Sequence, residues 1–184
     1  MDDRKARFES IYAETYEPIM GYVLRRCPSP DDAADVVAET FTIAWRRLED
    51  VPPGHRARLW LYGVARRVIA NHWRGEAQRR RRTTNLRHDL RDEIAAVGAD
   101  PVEASAIAEA FDRLTDDDRE ILGLVAWEGL EPSAVAAVLG CSAGAARVRL
   151  HRARKRFSRE LRSAEADVKP AVAQRPSGGR RSMA

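Results

Sequence analysis

Only two cysteines, Cys27 and Cys141, occur in the 184 residues, and neither stands in a CxxC pair or a Cys/His cluster. The sequence therefore offers no disulfide framework and no zinc site, which suits a reducing compartment. The four histidines are scattered, and there is no Ser/His/Asp grouping, phosphate loop or metal cluster. Neither catalysis nor a cofactor is expected on these grounds. No apolar run approaches the roughly 20 residues that span a bilayer. The start, MDDRKARFES, has no apolar signal core, so the expected location is the cytoplasm, without membrane insertion. Alternating β-branched segments are also absent, while Ala, Leu, Arg and Glu dominate, which points to an all-α protein.

What the chain has in quantity is charge, and it is unevenly placed. The net charge of +4 conceals four blocks. Residues 1–50 carry a net −4, 51–91 a net +9, 92–140 a net −10 and 141–184 a net +9. Two basic blocks separated by an acidic one suggest two spaced contacts with one polyanion; alternation by chance along helical surfaces is the weaker reading.

Helical spacing recurs along most of the chain. Phe8, Ile11, Tyr12, Tyr16, Ile19, Met20, Val23 and Leu24 repeat at three and four, and Cys27-Pro28-Ser29-Pro30 cannot continue that helix. Ser29 can cap a second helix, with Pro30 in its first turn and Asp31 and Asp32 at the positive end of its dipole. Its core face would be Ala33, Val36, Val37, Phe41, Ala44, Trp45 and Leu48. Asp35 and Glu39 lie four apart on the outer face, a like-charge pair costing a few tenths of a kcal/mol in an isolated helix. Such a pair is either a solvated acidic face or a docking surface for a basic partner.

After the loop Val51-Pro52-Pro53-Gly54-His55, the run ARLWLYGVARRVIANHWR turns Leu61, Val64, Ala65, Val68 and Ile69 inward and Arg66, Arg67, Asn71, His72 and Arg74 outward. Trp60, Tyr62 and Trp73 fit two roles, stacking on unpaired bases or packing in the core. From Gln78 through Arg82 periodicity is lost, and roughly 77–100 reads as a flexible basic linker. Helical patterning resumes at Pro101, with Thr115 as a cap and Gly129 as a stop.

The stretch EPSAVAAVLGCSAGAARVRLHRARKRF, residues 131–157, joins two short helical patterns at Gly140-Cys141-Ser142. Gly140 suits a left-handed C-terminal turn, and Ser142 caps a second helix whose apolar stripe is Ala146, Leu150, Ala153 and Phe157. Arg147, Arg149, His151, Arg152, Arg154, Lys155 and Arg156 occupy the other faces. A short helix, a Gly turn and a basic second helix read as a DNA-binding helix-turn-helix without a wing; the alternative is a helical hairpin with a solvated basic face. Residues 163–184, ending RPSGGRRSMA, read as a disordered tail.

Taken together, these motifs resemble bacterial RNA polymerase sigma factors of the extracytoplasmic-function (ECF) group, over about residues 8–76 and 103–161. DAADVVAETFTIAW resembles that family's core-polymerase-binding helix, LWLYGVARRVIANHWR the helix used on the −10 promoter element, and residues 111–157 the domain that reads the −35 element. The resemblance implies two small helical domains, 1–76 and 101–162, on either side of the linker. It also implies that the protein recognises promoters and promotes DNA melting as a non-enzymatic partner of core RNA polymerase. By the same matching, Asp35, Glu39 and Thr40 fall at polymerase-contacting positions. His55, Arg56, Arg66, Arg67, Asn71 and Arg74 fall at −10 positions, the loop at 54–56 being where the family captures a flipped base. Arg147, Val148, Arg149, His151 and Arg152 fall at −35 positions. An anti-sigma factor is a further partner the family admits.

The chain departs from the family pattern at Glu131, where Ser or Thr is usual, and at Ala145, Ala146 and Val148, where hydroxyl-bearing residues are common. Two rival functions predict different behaviour. A regulator would bind operator DNA as a dimer without polymerase; a protein-binding adaptor would lose little DNA affinity as salt rises, because it makes no phosphate contacts.

Overall fold

The computed structural model describes residues 2–76 and 100–173. Among these residues there are seven α-helices and no strand, as the composition predicts. The helices are α1 (Asp2–Leu24), α2 (Pro30–Arg46), α3 (Arg56–Glu76), α4 (Pro101–Asp112), α5 (Asp116–Ala126), α6 (Pro132–Leu139) and α7 (Ala143–Ala173), with a 3-10 turn at Leu48–Asp50. The expected linker, apart from Asp100, lies outside the described residues.

Local chemistry sets the boundaries. The Ser29 hydroxyl oxygen accepts the Asp32 N–H at 3.1 Å and donates to the Asp32 carboxylate at 2.6 Å, closing the first turn of α2 from both sides. Such a cap is worth about 1 kcal/mol. Thr115 does the same for α5, accepting the Asp118 N–H at 3.2 Å. Glu131 precedes α6 in extended geometry without a side-chain cap, and Pro132 begins the helix, where no N–H is needed. Gly140 ends α6 at φ 66°, a left-handed conformation that suits glycine. Ser142 then accepts the Ala145 N–H at 3.1 Å.

The first three helices pack on one another through Ile19, Val23, Val36, Val37, Phe41, Ala44, Leu61, Ala65 and Val68, all buried. Trp45 departs from the expected core face. It is 40% exposed, its ring edge-on to Phe8 and covered on one side by the Arg4 guanidinium. The second half closes α4 onto α7 through Ala106, Ala110 and Ala164, flanked by Phe157 and Leu161. Small side chains there let two helices approach closely.

That contact corrects the expected tail. Residues 163–173 continue α7, and Ala164 is fully buried. The stripe Ala146, Leu150, Ala153, Phe157 simply runs on through Leu161 and Ala164, so α4 gives the helix a reason to persist. Residues 174–184 lie outside the described residues.

The two halves do not stand apart. One continuous core runs from Ile19, Tyr22 and Val23 through Leu61 and Tyr62 to Leu124, Val135, Val138 and Leu150. Gly63 faces the α6 backbone so closely that a Cβ there would lie 3.4 Å from the Val138 carbonyl oxygen.

Candidate nucleic-acid interface

The axes of α6 and α7 bend by 102° across Gly140–Ser142, within the range of helix-turn-helix pairs. Ala146, Leu150 and Ala153 are buried against the rest of the second half. The opposite face therefore exposes Arg147, Val148, Arg149, His151 and Arg152, the five residues singled out from the sequence. Val148 is 50% exposed, an apolar side chain amid cations. A face of this kind can offer charge to phosphates, donors to base edges and an apolar contact to a thymine methyl.

In the first half, His55 and Arg56 are exposed where the loop after Val51 turns through Gly54 into α3. Arg67 and Asn71 are exposed on α3, and Arg66 is partly exposed. Arg74 lies on the same helix, its side chain outside the described set. Tyr62, which the sequence left between base stacking and the core, is buried against Tyr22 at 5.0 Å between ring centroids. Trp60 is half-buried over Leu48, Val51 and Ala57. The Trp73 side chain lies outside the described residues.

On α2, Asp35 and Glu39 are exposed and point away from the core. Thr40 is a correction. It is completely buried, and its hydroxyl donates to the Val36 carbonyl at 2.7 Å within the same helix. It lies between Val36, Val37 and Phe41 on the inward stripe, so it supports the helix and cannot reach a partner.

Sequence reasoning missed the residues that join the halves. Arg26, in the turn just after α1, donates from Nε to the Glu120 carboxylate at 2.8 Å and approaches Glu128 at 3.4 Å. Arg25 donates to Glu128 at 2.7 Å. The Tyr22 hydroxyl donates to Glu120 at 2.7 Å, and the Arg26 guanidinium lies 3.7 Å from the Tyr22 ring centroid. Burial works against the Arg26 charge, but Tyr22, Glu120 and Glu128 together hold it above its ordinary value. Burial, then Glu120, raises the Tyr22 phenol well above its usual range; burial, then Glu128, pushes Tyr62 up to about 12. The signal available in the sequence was charge complementarity between Arg25-Arg26 and the acidic block 92–140.

The closed arrangement also brings cations of both halves together. Arg66 from α3 and Arg149, Arg152 and Arg156 from α7 line one cleft of about 420 Å³, alongside Asp117, Asp118 and Glu120. Arg156 is bound to Asp118 at 2.6 and 2.7 Å, and Arg66 lies 3.9 Å from Asp117.

Comparison with known proteins follows these two halves. Residues 11–80 match Sigma-70 region 2 and residues 104–157 match Sigma-70 region 4. The ECF RNA polymerase sigma factor SigF of Caulobacter vibrioides is 30% identical over 148 residues, covering 80% of this chain and 81% of that protein. The ECF RNA polymerase sigma factor SigC of Mycobacterium tuberculosis is 37% identical over 125 residues, 66% of each. Among solved structures, CnrH in complex with the cytosolic domain of CnrY is similar at a TM-score of 0.59 and 28% identity, covering 85% of this chain and 88% of that one. RpoE in complex with the anti-sigma factor NepR from Bartonella quintana shares the fold at a TM-score of 0.57 and 20% identity, covering 88% and 98%.

Proposed function

Because this chain belongs to the ECF group of RNA polymerase sigma factors, we propose that its three surfaces divide promoter recognition between them. Asp35 and Glu39 on α2 dock on core RNA polymerase. His55, Arg56, Arg66, Arg67, Asn71 and Arg74 hold and melt the −10 element. Arg147, Val148, Arg149, His151 and Arg152 enter the −35 major groove. The domain boundaries are 1–76 and 101–162, with α7 carrying the second half on to Ala173 and residues 77–100 linking the two. The protein acts in the cytoplasm, performs no catalysis of its own and uses no cofactor. An anti-sigma factor is a reasonable partner, since the related CnrH was solved in complex with CnrY.

The observation that carries this reading is the pairing of an exposed acidic helix with two exposed basic surfaces on one chain. A lone operator-binding regulator has no need of the acidic helix. Phosphate-binding cations give affinity without sequence information, and base-facing side chains give the selectivity. Linking two modest sites multiplies apparent affinity through effective concentration.

Run-off transcription with core polymerase over genomic fragments, followed by sequencing of transcript starts, tests the reading directly. The expected result is a set of starts sharing two spaced motifs that require both polymerase and this protein. Tight, selective DNA binding by the free protein with no polymerase-dependent transcript would overturn it.

A further inference from the structure

We propose that the C-terminal half of α7 carries a second DNA contact, in which Lys155, Arg159 and Arg162 hold backbone phosphates of the duplex flanking the −35 element. This deepens the reading of α7 as the groove helix and rests on it.

Helical spacing defines the stripe. Val148, Arg152, Lys155, Arg159 and Arg162 stand four, three, four and three apart, so they share one face of the helix, and all five are exposed. On the opposite face Ala146, Leu150, Ala153 and Ala164 are buried, with Phe157 and Leu161 partly buried between them. One uninterrupted helix thus turns a single line outward, from the groove-facing Val148 past Arg152 to Arg162. Arg152, Lys155, Arg156, Arg159 and Arg162 line a shallow groove of about 290 Å³, with no carboxylate among them. Arg156 is already bound to Asp118. The other four face outward.

Length carries this stripe out of the groove. A helix-turn-helix reads base edges with the N-terminal residues of its second helix, and the major groove of B-form DNA is about 12 Å wide. From Arg152 to Arg162 the helix advances roughly 15 Å, at a rise of about 1.5 Å per residue. A helix seated in the groove at residues 147–152 has therefore left it before Arg162 and lies over the bordering backbone. Packing of Ala164 on Ala106 and Ala110 keeps this end helical and in line with the groove-facing end. The match to Sigma-70 region 4 ends at residue 157, so Arg159 and Arg162 lie beyond it.

The chemistry of the face selects phosphate. Cations three and four apart on a helix repel one another, and a regular line of anions relieves every pair at once. Each DNA strand supplies one phosphate per roughly 3.4 Å of axis. Arg159 donates to the Glu160 carboxylate from Nε at 3.0 Å and Nη2 at 2.8 Å, yet its side chain is 69% exposed. A pair so solvated is worth little and exchanges readily for a phosphate. Protein partners, by contrast, anchor on large apolar and aromatic side chains at the centre of an interface. Among the described residues of α7 the one large hydrophobic that is exposed is Val148, at the groove end. The stripe beyond it offers point charges alone, which grip a backbone without reading sequence.

Holoenzyme assembled from core polymerase and the full chain tests the stripe, on a promoter fragment found by the run-off transcription above. The test variant is Lys155→Gln/Arg159→Gln/Arg162→Gln. All three positions are exposed, so its helix content by circular dichroism should match wild type. Arg159→Lys/Arg162→Lys keeps the charge and serves as the control. Each phosphate contact adds about 0.9 to the slope of log affinity against log salt. Between about 50 and 200 mM salt, wild type and control should therefore lose roughly 40-fold more affinity than the triple variant. Hydroxyl-radical footprinting should show backbone protection beyond one edge of the −35 element in wild type, and the triple variant should lack it. The ratio of transcription from intact and scrambled −35 templates should stay as in wild type, because phosphate contacts carry no sequence information. An unchanged salt slope or an unchanged footprint overturns the proposal; with reduced transcription as well, the stripe belongs to an acidic protein surface. A changed template ratio also overturns it, by making these residues base readers. If wild-type holoenzyme forms no polymerase-dependent promoter complex, the sigma-factor reading falls and the role of the stripe with it.

Discussion

Arg26 and Glu120 stand 94 residues apart in sequence and 2.8 Å apart in space. Their bond ties the end of the first helix of one half to the middle of α5 in the other. The guanidinium is held above its ordinary value by its neighbours despite burial, so it remains charged at any pH near neutrality. The first ionisations able to disturb this region with rising pH are those of its thiol and phenols.

Alkaline pH should accordingly destabilise the protein. Burial, with Asp32 second, pushes the Cys27 thiol from 9.0 up to about 12, and burial pushes the Tyr62 phenol from 10.0 up to about 12. Both groups are raised in the folded state, so the unfolded chain releases its protons first. Their contribution is fully present below about pH 9 and is lost as pH rises toward about 12. The expected outcome is a melting temperature that declines from about pH 9 upward, with a shallower decline for Tyr62→Phe.

Charge reversal at Asp35→Lys/Glu39→Lys should abolish polymerase binding and run-off transcription. Both side chains are exposed and four apart on α2. The reversed pair is again two like charges four residues apart, so their mutual repulsion is unchanged in kind, and stability should stay within about 0.5 kcal/mol. Normal transcription by this variant would remove α2 from the docking surface.

Thr40→Val should behave in the opposite way. The Thr40 hydroxyl bonds only to its own helix in a buried position, so replacing it with a methyl should alter stability by no more than about 1 kcal/mol. Polymerase affinity, measured by fluorescence titration, should be unchanged.

Arg149→Ala and Arg152→Ala should each weaken initiation from promoters with an intact −35 element. A residue with a bidentate base contact loses about 1–3 kcal/mol and relaxes selectivity at one position. A phosphate-contacting residue loses affinity on all sequences and lowers the salt dependence. In vitro transcription on intact and scrambled −35 templates at two salt concentrations separates the two roles.

Ala164→Glu should unfold the end of the second half. Ala164 is completely buried between Ala106 and Ala110, and a carboxylate there has no partner. Destabilisation of at least about 2 kcal/mol is expected by thermal melting. Ser163→Ala, an exposed neighbour, should have little effect.

Helix existence and capping were legible because they depend on near neighbours. Ser29, Thr115, Gly140 and Ser142 act within three or four residues of themselves, and each does what its side chain or backbone freedom suggests. Periodicity also fixed the inward face of α3 and the apolar stripe of α7. It misplaced Trp45, because a tryptophan at the rim can be covered by the Arg4 side chain instead of the core. The end of α7 was obscured by charge-rich composition, although Leu161 and Ala164 continue the stripe. Thr40 was matched to the family by alignment of a motif, and a motif does not distinguish a side chain that touches a partner from one that braces the helix. The joint between the halves was harder to read for another reason. Charge complementarity between Arg25-Arg26 and the acidic block 92–140 singles out no individual pair, and only the folded chain brings residues about a hundred positions apart into contact.

The two sides of that joint belong to one covalent chain, so its closure is a first-order event. Dilution does not open it, and making more of the protein does not saturate it.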